Sequence, residues 1–199
     1  MNMEFTPIFF AGGKNCIDFC NTFDHLHSPP AYDFIPDRAS ALRWGEAAGI
    51  LASSVQDIRK SEGGDLKRLL EARSLIFRLL APFSMDTSPA VEDLGAFDLF
   101  LQEAHSRMGI VPAKDGYSMA CLEVDPLKKI FCEVVHSAAE LLLSNQPERV
   151  KQCRECGWLF YDSTRNLSRR WCDMQTCGNK AKARRHYEKV KEKRQNPAH

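Results

Sequence analysis

The sequence predicts a mainly α-helical protein with a small antiparallel β-hairpin, an α+β chain in two parts. Residues 1–146 read as a helical body, and residues 147–199 as a four-cysteine module that ends in a basic helix. Three observations predict this. Apolar residues recur at intervals of three and four through several stretches of the first part, the pattern of helices that bury one face. One stretch brackets an Asp-Gly turn with strand-like residues, as hairpins do. The last quarter pairs its cysteines, Cys153 with Cys156 and Cys172 with Cys177, amid Arg, Lys, Asp and Gly rather than apolar neighbours.

Each element has its own local cause. Cys16, Phe19, Cys20 and Phe23 fall at helical spacing and predict one short helix over 15–23. The prolines at 29, 30 and 36 then enforce an extended loop. Asp37 is placed to cap a helix running through Leu42, Trp44 and Ala48 to Gly49. Gly63, Gly64 and Asp65 open the next, whose stripe is Leu66, Leu69, Leu70, Arg73, Ile76, Phe77 and Leu80, with Pro82 at its end. Ser88 and Pro89 are a favoured N-cap and first-turn pair. They predict a helix with the stripe Leu94, Phe97, Leu101, Ala104 and Met108, stopped by Gly109. Ile110-Val111 and 117–124 form the hairpin around the segment 112–116. Asp125-Pro126 starts the strongest helix, with Leu127, Ile130, Phe131, Val134, Val135, Ala138, Leu141 and Leu142 on one face. Asn145-Gln146-Pro147 marks the boundary between the parts. The body is expected to fold without metal, and the module to depend on it, because some fifty residues with few large apolar groups bury too little surface.

The cysteine spacing carries the chemistry. Cys153 and Cys156 present two thiolates from one turn; fifteen residues later Cys172 follows, and after four more Cys177. Two such pairs can close a tetrahedron, the arrangement zinc adopts in structural sites. The four-residue gap in the second pair departs from a standard zinc ribbon. Two disulfides, a redox pair and plain buried thiols compete with this reading. No signal-peptide pattern opens the sequence, so the expected location is cytoplasmic, where thiols stay reduced. No βαβ pattern surrounds Cys153, and the polar setting is unlike a core. One structural Zn²⁺ per chain is the expectation.

The net charge of +1 conceals an asymmetry. From Val150 onward there are 13 Lys and Arg against 5 Asp and Glu, a net +8, and the rest of the chain is −7. An acidic body with a basic tail suggests that nucleic-acid contact is confined to the tail. Helical spacing puts Lys182, Arg185, Lys189 and Lys193 on one side, with Arg165, Arg169 and Arg170 in the loop between the cysteine pairs. Ala183, Tyr187 and Val190 are read as packing on a hairpin formed by 150–153 and 158–161 with Gly157 in its turn. Trp158, Phe160, Tyr161, Trp171 and Tyr187 are read as the module's small core, Gly178 as a close backbone approach, and Asn179 as a turn or cap residue.

Two motifs carry a family resemblance. Trp171-Cys172-Asp173-Met174-Gln175-Thr176-Cys177-Gly178-Asn179-Lys180, with Leu159-Phe160-Tyr161-Asp162 and the first cysteine pair, resembles the CGNR zinc-finger family. Cys16-Ile17-Asp18-Phe19-Cys20-Asn21-Thr22 resembles a motif of the ABATE domain that precedes this finger in that family. The family is described as stress-induced transcription regulators, so the resemblance implies a zinc-dependent DNA-binding protein. Its four cysteines map onto Cys153, Cys156, Cys172 and Cys177. Lys180 stands where the signature has Arg; the charge that meets a phosphate is kept, and the planar fork that reads guanine is not.

Catalysis finds little support, since no Gly-rich phosphate loop or nucleophile elbow accompanies the polar cluster from Asp18 to His27. A second metal at Cys16, Cys20, His25 and His27 is the weaker reading beside core thiols. Asp18, Asn21 and Trp44 form a candidate ligand pocket in a sensing or dimerising body. DNA is the expected partner, no membrane partner is expected, and RNA, a small-molecule effector and a homodimer stay open. A protein-interaction module with a purely structural zinc is the alternative, and an enzyme using the Asp18–His27 region the third reading.

Overall fold

Six α-helices and two antiparallel hairpins organise the residues described by the computed structural model, 4–52 and 65–195. The expected helix openers Gly63 and Gly64 lie outside these residues. Helix α1 (Asn15–Cys20) is buried along nearly its whole length, through Cys16, Ile17, Asp18, Phe19 and Cys20. Helix α2 (Arg38–Ala47) starts where the sequence predicts: Asp37 accepts from Ser40 N at 2.8 Å, and Ser40 Oγ receives Asp37 N in return, a capping box. Helix α3 (Leu66–Leu80) is capped by Asp65, which accepts from Lys67 N. Pro82 then enters a 3₁₀ turn, Ala81–Met85, that packs against the later strand β3.

Helix α4 (Val91–His105) begins later than expected. Ala90 occupies the N-cap with no side-chain bond, so Ser88 does not cap it. Its buried stripe is Phe97, Phe100 and Ala104; Leu94 is exposed, and Met108 and Gly109 belong to a strand. Strands β1 (Met108–Ala113) and β2 (Gly116–Cys121) pair from Met108↔Cys121 to Ala113↔Gly116. The turn is therefore Lys114-Asp115, one residue earlier than an Asp-Gly turn, and Gly116 takes φ +131° at the head of β2.

Helix α5 (Pro126–Leu143) is the post of the fold. Asp125 caps it by accepting from Leu127 N and Lys128 N, and Pro126 fills the first turn, where no N–H is needed. Helices α1, α2, α3 and α4 all pack on it. None of the described helices is long and apolar enough to cross a membrane.

After a 3₁₀ turn at Pro147–Arg149, strands β3 (Val150–Gln152) and β4 (Leu159–Tyr161) form the second hairpin. Val150 and Leu159 sit in the same hydrophobic cluster as the helices of the body. Asn21, on α1's C-terminal edge, clamps β4 like a missing strand. Its Nδ2 donates to Leu159 O at 2.9 Å, and Leu159 N donates to its Oδ1 at 3.0 Å. Tyr161 N donates to Gly12 O, and Trp158 Nε1 to the Tyr32 hydroxyl. Helix α6 (Asn179–Gln195) ends the described chain.

Candidate metal centre and nucleic-acid interface

The hairpin builds half of the metal centre. Cys153 N donates to Trp158 O and Gly157 N to Cys153 O, which curls the segment 153–158 into a tight knuckle. Gly157 has φ +77°, a conformation that L side chains rarely adopt. A π-helical turn, Met174–Gly178, supplies the other half. Asp173 caps it by accepting from Thr176 N at 2.7 Å and Thr176 Oγ1 at 2.8 Å. A Cβ on Gly178 would meet Trp171 Cδ1 at 3.0 Å and Met174 Sδ at 2.5 Å, so glycine lets this backbone pass close to those two side chains.

The four cysteine sulfurs lie within 4.8 Å of one another. Cys156 and Cys172 sulfurs are 3.5 Å apart, and those of Cys172 and Cys177 are 3.7 Å apart. Bonded sulfurs sit at about 2.05 Å, so these are free thiols. A tetrahedron with metal–sulfur bonds of about 2.3 Å has edges of roughly 3.8 Å, which these spacings match. Hydrogen bonds from Cys156 and Cys172 hold the Cys153 thiol far down, while Cys153 pushes Cys156 up to about 12. Four adjacent thiolates need a positive centre, and a divalent soft cation provides it. Among the described residues this quartet is the metal-capable group. Cys16 and Cys20 are core thiols, His27 bonds Asp24 at 2.8 Å, and His25 stacks on Phe77.

Two residues hold the loop between the cysteine pairs, one given no role by sequence reasoning and one given a different role. Asp162 is fully buried and accepts from Lys151 Nζ, Thr164 N, Thr164 Oγ1 and Arg169 N. Burial pushes its carboxyl up, and these donors outweigh burial and keep it well below the usual range. The signal was present as Asp162-Ser163-Thr164, an Asx-type turn after a strand. Arg169 is the second. It donates to the carbonyls of Trp171, Tyr161, Ala11 and Cys172, and lies over the Phe160 ring. A guanidinium engaged this fully is a rivet, which corrects its placement among the phosphate-contacting residues.

The other basic residues stand clear. Arg165, Arg170, Lys180, Lys182, Arg185 and Lys189 are exposed, and the side chain of Lys193 lies outside the described ones. On α6 the buried residue among those described is Ala181, not Ala183; Val190 is half-buried, and Tyr187 is 73% exposed and so is no part of a core. Phe160 is buried in the finger's small core with Trp158 and Trp171 packed beside it, whereas Tyr161 packs against the body's cluster instead. Asn179 Nδ2 donates to Gln175 O, a local cap. Arg184 pairs with Glu155 at 2.8 Å and ties α6 to the knuckle.

The three residues of the candidate ligand pocket are each engaged within the fold. Asp18 accepts from Gly12 N at 2.8 Å and pins the N-terminal segment; burial pushes its carboxyl up to about 7. Asn21 is spent on β4, and Trp44 is fully buried against Phe19. Short residues close to backbone did what a pocket reading assigned to a ligand.

Comparison with known families matches residues 149–190 to the CGNR zinc finger and residues 13–145 to ABATE, described as "Putative stress-induced transcription regulator". Comparison with curated proteins found no match. The chain therefore belongs to the ABATE family and ends in a CGNR zinc finger, whose quartet Cys153, Cys156, Cys172 and Cys177 holds one structural zinc.

Proposed function

We propose that this protein is a zinc-dependent, DNA-binding transcription regulator of the cytoplasm, with no catalytic role, whose finger presents α6 to duplex DNA. One observation carries the reading. Helix α6 runs 17 residues with Ala181 as its buried residue among those described, and its exposed surface carries Lys180, Lys182, Arg185 and Lys189. A helix polar on every side lacks the packing that stabilises helices within proteins. The major groove of B-DNA is about as wide as a helix and is lined by phosphates on both sides. The zinc knuckle and the Arg184–Glu155 pair fix the helix's direction, so its cations arrive as a preset array. Arg165 and Arg170 extend that array toward a flanking phosphate strand.

The family's description as a transcription regulator supports the same reading. RNA is the second partner class, because single-stranded targets also use basic grooves; exposed Tyr187 offers a stacking surface. Ile110, Tyr117 and Met119 are exposed on the β1–β2 hairpin, which supports a protein contact, a second copy of this chain included. Selection of zinc-loaded protein against a random duplex pool tests the proposal. Enrichment of a shared sequence is expected; a pool that stays unenriched while a random RNA pool converges would move the function to RNA.

A further inference from the structure

A further cluster of cations, which shares Arg170 with the array of α6, lies where the finger meets the body. The 3₁₀ turn Ala81–Met85 packs along β3 and leaves a polar cleft of about 400 Å³. Four basic residues line it: Lys151, Arg154, Arg169 and Arg170. Two are already engaged, Lys151 with Asp162 at 2.7 Å and Arg169 with backbone carbonyls. Arg154 and Arg170 are exposed, and among the described residues neither has a hydrogen bond or ion pair. Ser168, also exposed, adds a hydroxyl to the same wall. Two carboxylates, Asp86 and Glu148, line the cleft as well.

We propose that this cleft is a phosphate site at the junction of body and finger, in which Arg154 and Arg170 hold the phosphate. Guanidinium forks bind phosphate oxygens bidentately, and two unengaged forks on one cleft are the donor set that a phosphate completes. Asp86 and Glu148 exclude a polyphosphate, because extra negative charge would face them. They suit hydroxyl groups, which donate to carboxylates. The matching chemistry is a single phosphate on a polyhydroxylated carrier. That group has two sources: a small sugar phosphate, for which the volume is adequate, or one backbone phosphate of the DNA that α6 engages. The second source rests on the proposed function; the first does not. Because both the body turn and the finger line the cleft, an occupant touches both parts of the molecule.

The test uses the zinc-loaded full chain, the variant Arg154→Ala/Arg170→Ala, and Ser168→Glu, which adds a carboxylate to the same wall. Calorimetry with inorganic phosphate and glucose 6-phosphate, at ionic strength balanced with chloride, addresses the small ligand. Anisotropy of a labelled duplex over a salt series addresses the backbone. Saturable binding of either phosphate compound, weakened at least about tenfold in both variants, establishes the small-ligand source. No such binding, with a DNA salt slope about one unit shallower in the arginine variant, the share of the single phosphate that the two forks hold, establishes the backbone source. Wild-type behaviour of both variants in both experiments overturns the site, as does a wild-type chain that binds neither phosphate nor DNA. A wild-type chain that binds phosphate and no DNA sinks the proposed function alone. Unchanged zinc content shows that the variants fold, and Ser168→Glu carries the test if the double variant loses its zinc.

Discussion

Helices α5 and α6 are nearly equal in length, 18 and 17 residues, and opposite in every other respect. Ten residues of α5 are buried, including Leu127, Ile130, Phe131, Val134 and Val135. On α6 only Ala181 is buried among the described side chains. Helix α5 has its partners within the chain: α1, α3 and α4 pack on it. Helix α6 is held at one end, through Ala181 and the Arg184–Glu155 pair, and most of its other described side chains are exposed. The difference teaches where each helix's function lies. An apolar face specifies the fold, and a cationic surface with no internal partner specifies a binding event outside it.

Breaking the anchor of α6 should have the largest effect. Cys172→Ser removes a ligand of the quartet, so bound zinc measured by mass spectrometry should fall from about one per chain to near none. Val150 and Leu159 lie in the body's own cluster, so the loss should also lower the melting temperature of the helical body. This differs from the sequence-based expectation of a body indifferent to metal. A body whose melting is unmoved by zinc loss would show that the shared cluster is thermodynamically divided.

The two helices themselves come next. Ile130→Ala empties a fully buried position on α5 and should cost about 2–5 kcal/mol in urea unfolding. Tyr187→Ser on α6 should stay within about 0.5 kcal/mol of wild type. Comparable losses at both positions would mean that α6 packs on the chain after all. Comparable with the α5 effect is the joint between body and finger. Asn21→Ala strands the Leu159 N–H and C=O inside the protein, at about 1–3 kcal/mol for each group left unpaired. The same variant should release zinc faster to a chelator, because β4 carries one side of the knuckle.

The long periodic elements were legible because their cause is local. Helix α5 follows from a cap, a first-turn proline and an unbroken stripe, and the cysteine quartet from spacing alone. Other features were illegible because their cause is a distant contact. Phe100 faces inward and Leu94 outward on α4, since α3 and α5 set the buried side rather than the periodicity. Asn21 looked like a ligand-binding residue, and its partner lies 138 positions away. Arg169 looked like its neighbour Arg170; only the folded loop shows that its donors meet four carbonyls. Ala181 and Ala183 are both compatible with helical spacing, and the direction in which α6 leaves the knuckle selects Ala181.

The smallest stability effect is electrostatic and lies at the foot of the same interface. Asp18 has its carboxyl raised by burial to about 7 from 3.8, so the folded state holds a proton that the unfolded state releases. Its contribution is favourable at low pH and is lost as pH rises through 7. Asp18→Asn keeps an acceptor for Gly12 N without the buried charge. The variant should therefore gain stability over wild type at pH 8, by about 1 kcal/mol or roughly 2–4 °C, and the gain should shrink as pH falls below 7 and vanish only below 3.8, where the unfolded carboxyl is protonated too. An equal gain at pH 8 and pH 5 would mean that Asp18 does not titrate in this range.

The central claim is that α6 finds outside the chain the partner that α5 finds within it. The most direct measurement is the salt dependence of duplex DNA binding, by fluorescence anisotropy, for wild type and for Lys182→Ala/Arg185→Ala/Lys189→Ala. The prediction is measurable wild-type affinity at low salt and, in the variant, a slope shallower by about one unit for each phosphate that the helix no longer neutralises, up to about three. Zinc content should be equal in both. A wild-type protein with no affinity for duplex DNA at low salt, or a variant that binds with unchanged slope, would contradict the claim.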